Sequence, residues 1–272
     1  MTPSTSTPST AGAGPLAVRR WGAGEPVVLL HPLATSGELW TPLAEALADE
    51  FQVFAFDLRG HGESAWDGKP FSIADLADDL GAALDDLGLE TVSLLGLSMG
   101  GSVGVNFAGR FPGRVRSLVL ADTTAYYGDD APQVWAERAE KAVSVPRSKQ
   151  VAFQLDRWFS PEFRETHATE ADRIVKIFLR TNSEAHAAAS IAMGEMDSRA
   201  LLPAVTAGTL VLVGEHDYAT PPEMAAALAD GIPGAALEVQ TGLRHMSLIE
   251  RPALAERVRA HLKTGSTGTE TA

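Results

Sequence analysis

The sequence predicts an α/β fold: a mostly parallel central sheet flanked by helices, with a helical cap inserted into it. Three observations carry that prediction. Short, continuous apolar runs alternate with helical patterns from Pro15 to Leu262, as strands buried on both faces of a parallel sheet demand. One such run, Val92-Ser93-Leu94-Leu95, leads straight into Gly96-Leu97-Ser98-Met99-Gly100 and then a helical stretch. Between Asp122 and Ala207 the alternation stops, and helical patterns carrying tryptophans and charges succeed one another without a good strand.

Taken in order, the run 27–30 reads as the first buried strand and 39–50 as an amphipathic helix. The strand 53–56 is next, followed by a helix over 73–87 with Ser72 as its N-cap. Residues 92–95 form the strand before the glycine-flanked serine, and 100–110 the helix behind it. Strands follow at 115–120 and 210–213, with 237–239 the last. A closing helix over 252–262 has proline in its first turn, where no N–H is needed. Within the insertion, helices are expected at 133–143, 148–158, 169–182 and 184–193. An all-helical insertion after one strand reads as a cap over the strands' C-terminal ends, where open α/β sheets bind ligands. The expected organisation is a core over 15–122 and 208–262 and a cap over 123–207, between disordered tails at 1–14 and 263–272.

The 272 residues, 45% hydrophobic and 21% charged, suit a globular chain with one large core. A net charge of −13 argues against nucleic-acid binding and, more mildly, against anionic membrane surfaces. With no cysteine, disulfides, thiolate nucleophiles and cysteine-ligated metals are excluded. The first residues lack the basic and apolar regions of a signal peptide, and no apolar run reaches membrane-spanning length, so a cytoplasmic location is expected. Neither a P-loop, a dinucleotide fingerprint nor an H-E-x-x-H pattern occurs, so no organic cofactor and no metal is implied. Monomer and homo-oligomer are both left open.

Ser98 is the candidate nucleophile. A G-x-S-x-G turn between strand and helix strains the backbone of its serine and lifts the hydroxyl above the sheet. The helix that follows aims N–H groups and the positive end of its dipole at that hydroxyl. It attacks a carbonyl if a histidine takes its proton. Of the histidines that follow, His261 lies on the closing helix, and His167 and His186 in the cap. His245 stands in a turn-rich loop after the last strand and is the candidate base. Two carboxylates just past strands, Asp122 and Asp217, are candidates to orient it, and spacing does not choose between them. Glu215 and His216 read as solvent-facing neighbours. The main-chain N–H groups of Met99 and Leu33 are expected to form an oxyanion hole, Pro32 having none to give. His31 reads as shaping that loop, Asp57 and Arg59 as satisfying buried loop backbone, and His61 as structural rather than metal-binding.

His31-Pro32-Leu33, Asp57-Leu58-Arg59-Gly60-His61-Gly62-Glu63-Ser64, the Ser98 turn with Gly101, Gly214-Glu215-His216-Asp217 and His245 together resemble the α/β-hydrolase fold superfamily, over about 15–262. Within it the chain most resembles the 3-oxoadipate enol-lactonases. The similar stretches are Gly96 to Gly101, Leu118-Val119-Leu120-Ala121-Asp122-Thr123-Thr124 and Arg157-Trp158-Phe159-Ser160-Pro161. To these are added Met196-Asp197-Ser198-Arg199, the stretch from His216 to Pro222, and His245-Met246-Ser247-Leu248-Ile249-Glu250. The resemblance puts Asp217 on the catalytic-acid position, which decides against Asp122, and Glu250 on a non-catalytic one. Pro32 and Arg244 depart from the family pattern. An arginine beside His245 is placed to shift the pH optimum.

The resemblance implies a cofactor-free serine hydrolase that opens a five-membered enol-lactone bearing a carboxylate. Ser98 would add to the lactone carbonyl and expel an enolate that becomes a ketone; water activated by His245 would release the acid. An anionic substrate calls for a local cation. Arg138 with Trp135 one helical turn before it is the first candidate, and Arg157 with Trp158 the second. Two other readings stand beside this one: a general carboxylesterase or perhydrolase of small neutral esters, and a weakly catalytic ligand-binding homologue. In each the partner is a small molecule, an ester or lactone in the enzymatic cases.

Overall fold

Alternation along the central strands sorts their side chains onto two covered faces of one sheet. The computed structural model describes residues 16–264. Its strands are β1 (Val18–Trp21), β2 (Glu25–Leu30), β3 (Phe51–Phe56), β4 (Val92–Leu97), β5 (Val115–Ala121), β6 (Gly208–Gly214) and β7 (Ala236–Gln240). They lie in the order β1-β3-β2-β4-β5-β6-β7, parallel throughout except for β1, which pairs antiparallel with β3. The helices are α1 (Thr41–Leu47), α2 (Ile73–Asp86), α3 (Met99–Arg110), α4 (Ala131–Ser144), α5 (Arg147–Trp158), α6 (Pro161–Thr166), α7 (Ala168–Arg180), α8 (Ser183–Gly194), α9 (Pro222–Gly231), α10 (Ser247–Glu250) and α11 (Leu254–Thr264).

Val28, Leu30, Leu94, Leu118 and Leu120 enter one core with Leu76 and Leu80 of α2 and Val103 and Phe107 of α3. Their chain neighbours Val27, Leu29, Leu95, Val119 and Ala121 enter a second core on the opposite face, against Leu43 and Leu47 of α1 and Val258 and Leu262 of α11. This period of two, with both faces buried, explains why the strands read as continuous apolar runs. Because β2, β4, β5, β6 and β7 run the same way, their C-terminal ends share one edge. The residues that follow those ends are brought together there. Between β5 and β6 come α4 to α8 and the 3₁₀ turn Arg199–Ala204, with no further strand.

Some elements differ from expectation. The sequence does not predict β1, because Val18-Arg19-Arg20-Trp21 offers no apolar run; Arg19 is buried by pairing with Asp57 at 2.8 Å. The stretch 39–50 is a 3₁₀ turn, Gly37–Trp40, followed by the shorter α1. The short helices α6, α9 and α10 likewise go beyond what the sequence predicts. The closing helix begins at Leu254, with Pro252 in the turn before it. It continues through Lys263 and Thr264, two residues into the stretch expected to be a tail. The remainder of both expected tails lies outside the described residues.

Candidate active site

Ser98 occupies the one-residue step from β4 to α3, at φ 52° and ψ −119°. Such a left-handed backbone costs a non-glycine residue of order 1–3 kcal/mol and persists only where surrounding structure enforces it. Glycines enforce it here. A Cβ on Gly96 would lie 2.3 Å from the Gly100 carbonyl oxygen, and one on Gly100 would lie 2.2 Å from that of Leu30. Only hydrogen fits at either position, so β4, α3 and β2 close tightly around the serine.

The loop after β7 carries His245 over this turn. His245 Nε2 is 2.9 Å from Ser98 Oγ, and His245 Nδ1 is 2.8 Å from Asp217 Oδ2. All three side chains are buried. Asp217, just past β6, also accepts from the Ala219 and Thr220 N–H groups at 2.7 and 3.0 Å and from the Thr220 hydroxyl at 2.8 Å. His245 and the hydrogen bonds hold the Asp217 carboxyl below its ordinary range, against the opposing effect of burial, which is the largest single influence. Asp122 does not reach the imidazole. Its carboxylate accepts from the Gly214 N–H at 2.9 Å and from the Ser247 N–H and hydroxyl at 2.9 and 2.8 Å. It thereby ties the end of β5 to β6 and α10. Burial, then the charge of Asp217, push its carboxyl well above the usual range.

The loop from His31 to Thr35 faces Ser98 from the end of β2. Two neutral imidazoles shape it. His31 donates through Nδ1 to the Pro32 carbonyl at 2.8 Å and accepts through Nε2 from the Leu58 N–H at 2.9 Å. His61 accepts from the Ala34 N–H at 3.4 Å and donates to the Arg59 carbonyl at 3.1 Å. Among the described residues, no main-chain acceptor takes the N–H of Leu33 or Met99. Asp57 does satisfy loop backbone, accepting from Gly37 and Glu63 at 2.6 and 2.9 Å. Arg59 does not: its guanidinium pairs with Asp79 at 2.6 Å.

Burial lowers the pKa of His31 to about 4 and of His61 to about 3, from 6.5. The unfolded chain therefore takes up protons that the folded chain refuses. Stability from these groups falls as pH drops from about 6.5 toward 4, by on the order of 3 kcal/mol for His31 alone. Urea titrations at pH 7 and 4.5 check this. His61→Gln, which removes one of the two groups, is expected to flatten the dependence relative to wild type; Asp122 contributes with the opposite sign in both proteins.

Ser98 and His245 open onto a cavity of about 420 Å³, walled by α4, α5, α8 and the His31 loop. Trp135, Arg138, Arg157 and Trp158 all line it. Arg138 lies over the Trp135 ring, Cζ 4.7 Å from its centroid. Arg157 is only 7% exposed, and among the described residues it has neither a carboxylate partner nor a hydrogen bond. Burial, then the like charge of Arg138, push its guanidinium down to about 10. Trp158 packs edge-on to Phe159 and Phe178.

Sequence reasoning missed Tyr127. Its ring meets Trp135 at 5.0 Å, and loss of solvent raises its phenol above the ordinary range against the pull of Arg157 and Arg138. Its place six residues beyond β5 was the available signal. Arg244 pairs with Asp156 at 2.9 Å rather than standing free beside His245. Glu250 has a clear structural role: it accepts from the Arg244 N–H at 2.6 Å and the Ser160 N–H at 2.8 Å. With the Met246 N–H donating to the Trp158 carbonyl at 3.1 Å, these bonds join the His245 loop to the end of α5 that carries Arg157.

Comparison with known proteins agrees with this architecture. The 3-oxoadipate enol-lactonase 2 of Acinetobacter baylyi is 29% identical over 226 residues, 83% of this chain and 84% of that protein. The crystal structure of the enol-lactonase from Burkholderia xenovorans superposes with a TM-score of 0.87 at 32% identity, covering 91% of this chain and 96% of that one. A thermophilic esterase from Thermogutta terrifontis superposes equally well, with a TM-score of 0.87 at 32% identity over 96% of this chain and 99% of its own. The sequence profile of the alpha/beta hydrolase fold matches residues 25–252. By sheet order, serine turn and sequence profile, this chain belongs to the α/β hydrolase fold family.

Proposed function

We propose that this chain hydrolyses a small ester or lactone bearing a carboxylate, in the manner of an enol-lactonase, through an acyl-enzyme on Ser98. His245 takes the Ser98 proton as the hydroxyl adds to the carbonyl, and Asp217 holds the imidazole in the tautomer that can accept it. The N–H groups of Leu33 and Met99 receive the charge that develops on the carbonyl oxygen. Collapse of the tetrahedral adduct expels the alkoxide or enolate, and His245 then activates water to release the acid. No step calls on a cofactor.

The observation that carries the carboxylate is Arg157. A buried guanidinium beside a second one, with no directly paired counter-charge among the described residues, is unfavourable until an anion arrives. A substrate carboxylate would supply that counter-charge in the same cavity as Ser98. Arg157 is thus a stronger candidate than the half-buried Arg138, which Trp135 already partly satisfies.

The equal likeness to the Thermogutta esterase keeps a second reading, a carboxylesterase of neutral esters. A panel of carboxylate-bearing lactones and their methyl esters separates the two. Arg157→Ala is expected to lower kcat/KM by about 10- to 100-fold on the acids, the worth of one hydrogen bond to a charged group, and by less than about threefold on the methyl esters. Equal losses on both would favour the esterase.

A further inference from the structure

One more polar side chain on the cavity wall has an unmet valence. His186, on α8, is 6% exposed and lines the cavity that holds Ser98. Its Nδ1 lies 3.2 Å from Arg147 Nη1. A guanidinium only donates, so Nδ1 is the acceptor and the neutral ring carries its proton on Nε2. Arg147 cannot readily turn away. Its Nε donates to the Phe178 carbonyl at 2.8 Å, and its Cζ sits 4.0 Å from the Phe178 ring centroid. Among the described residues, nothing accepts a hydrogen bond from His186 Nε2. Burial, then the neighbouring Arg147 and His61, lower its pKa to about 3, so the ring stays neutral near pH 7.

A neutral ring with one fixed N–H differs chemically from the Arg157 side of the cavity. It matches a single uncharged acceptor oxygen rather than a carboxylate. We infer that His186 Nε2–H recognises a ketone or similar carbonyl oxygen of the bound molecule, and so selects oxo acids over acids of the same length that lack it. The inference deepens the proposed hydrolase reading, on which it relies for the kind of molecule that enters. Binding of a molecule without that oxygen leaves the N–H unpaired and out of water, which is the physical basis of the discrimination.

The matched pair 3-oxoadipate and adipate tests it, since they differ by one carbonyl and neither has a bond for Ser98 to cleave. Calorimetry on the wild type is expected to show about tenfold tighter binding of the oxo acid. His186→Leu should erase the preference, and His186→Gln, which keeps an N–H, should restore part of it. Equal binding to wild type, or a preference that survives in His186→Leu, overturns the inference. Nitrogen-15 NMR of the folded wild type gives a readout independent of ligand: a protonated Nε2 and unprotonated Nδ1 are expected, and the reverse overturns the assignment. If neither acid binds, the inference fails; Ser98-dependent ester hydrolysis then decides the hydrolase reading separately.

Discussion

Asp217→Asn is expected to lower kcat about 10⁴-fold, while Asp122→Asn leaves turnover within about tenfold and reduces stability instead. Both aspartates follow parallel strands and both are buried near the serine turn, so sequence position does not separate them. Their hydrogen bonds do. Asp217 Oδ2 reaches His245 Nδ1 at 2.8 Å, and an asparagine there either presents an amide N–H to that nitrogen or loses the charge opposite a forming imidazolium. The first result favours the tautomer whose Nε2 cannot accept the Ser98 proton, and the second leaves the imidazolium unstabilised. Asp122 instead accepts from Gly214 and Ser247, so its asparagine puts an amide group against donors already in place. The check is kcat with a nitrophenyl ester for both variants, beside their urea midpoints. A large kcat loss confined to Asp122→Asn would reverse the assignment.

Gly100→Ala is expected to be among the most damaging single-methyl additions in the chain, costing at least about 3 kcal/mol. The new Cβ would meet the Leu30 carbonyl oxygen at 2.2 Å and its carbon at 2.5 Å. These are backbone atoms of a central strand, with no flexible side chain to yield. Separating α3 from β2 moves the Met99 N–H away from the Leu33 loop, so the rate should fall by about 10²-fold as well, as displacements near 1 Å at reacting groups do. Gly113→Ala is the control, since its Cβ would have nothing within 4 Å. It should shift the thermal midpoint little and leave kcat unchanged. Thermal melts and steady-state rates on the two variants test the contrast.

What could be read without coordinates followed local chemistry. Strands buried on both faces must be continuously apolar, so β2 to β6 stand out; β1 does not, because Arg19 is buried only by virtue of Asp57, a partner 38 residues away. α9 escaped because only Ala225 and Leu228 of its ten residues are buried, too little for a periodic stripe. Ser98 carries its signal in its neighbours, since the glycines at 96 and 100 answer to local geometry. The orienting carboxylate has no such local signature. Spacing left Asp122 and Asp217 level, and the resemblance favoured the residue that lies against His245. The helices between β5 and β6 are the least legible part. Arg157 is set apart from the other arginines by burial and the lack of a partner, and His186 by its tie to Arg147, which are both properties of tertiary contact.

The central claim is that Ser98 is a nucleophile made reactive by His245. Mass spectrometry after exposure to a fluorophosphonate tests it most directly. One adduct per chain is expected, on Ser98, forming at least about 10³-fold more slowly in His245→Ala. An unlabelled Ser98 in folded protein, or a labelling rate indifferent to His245, would contradict it.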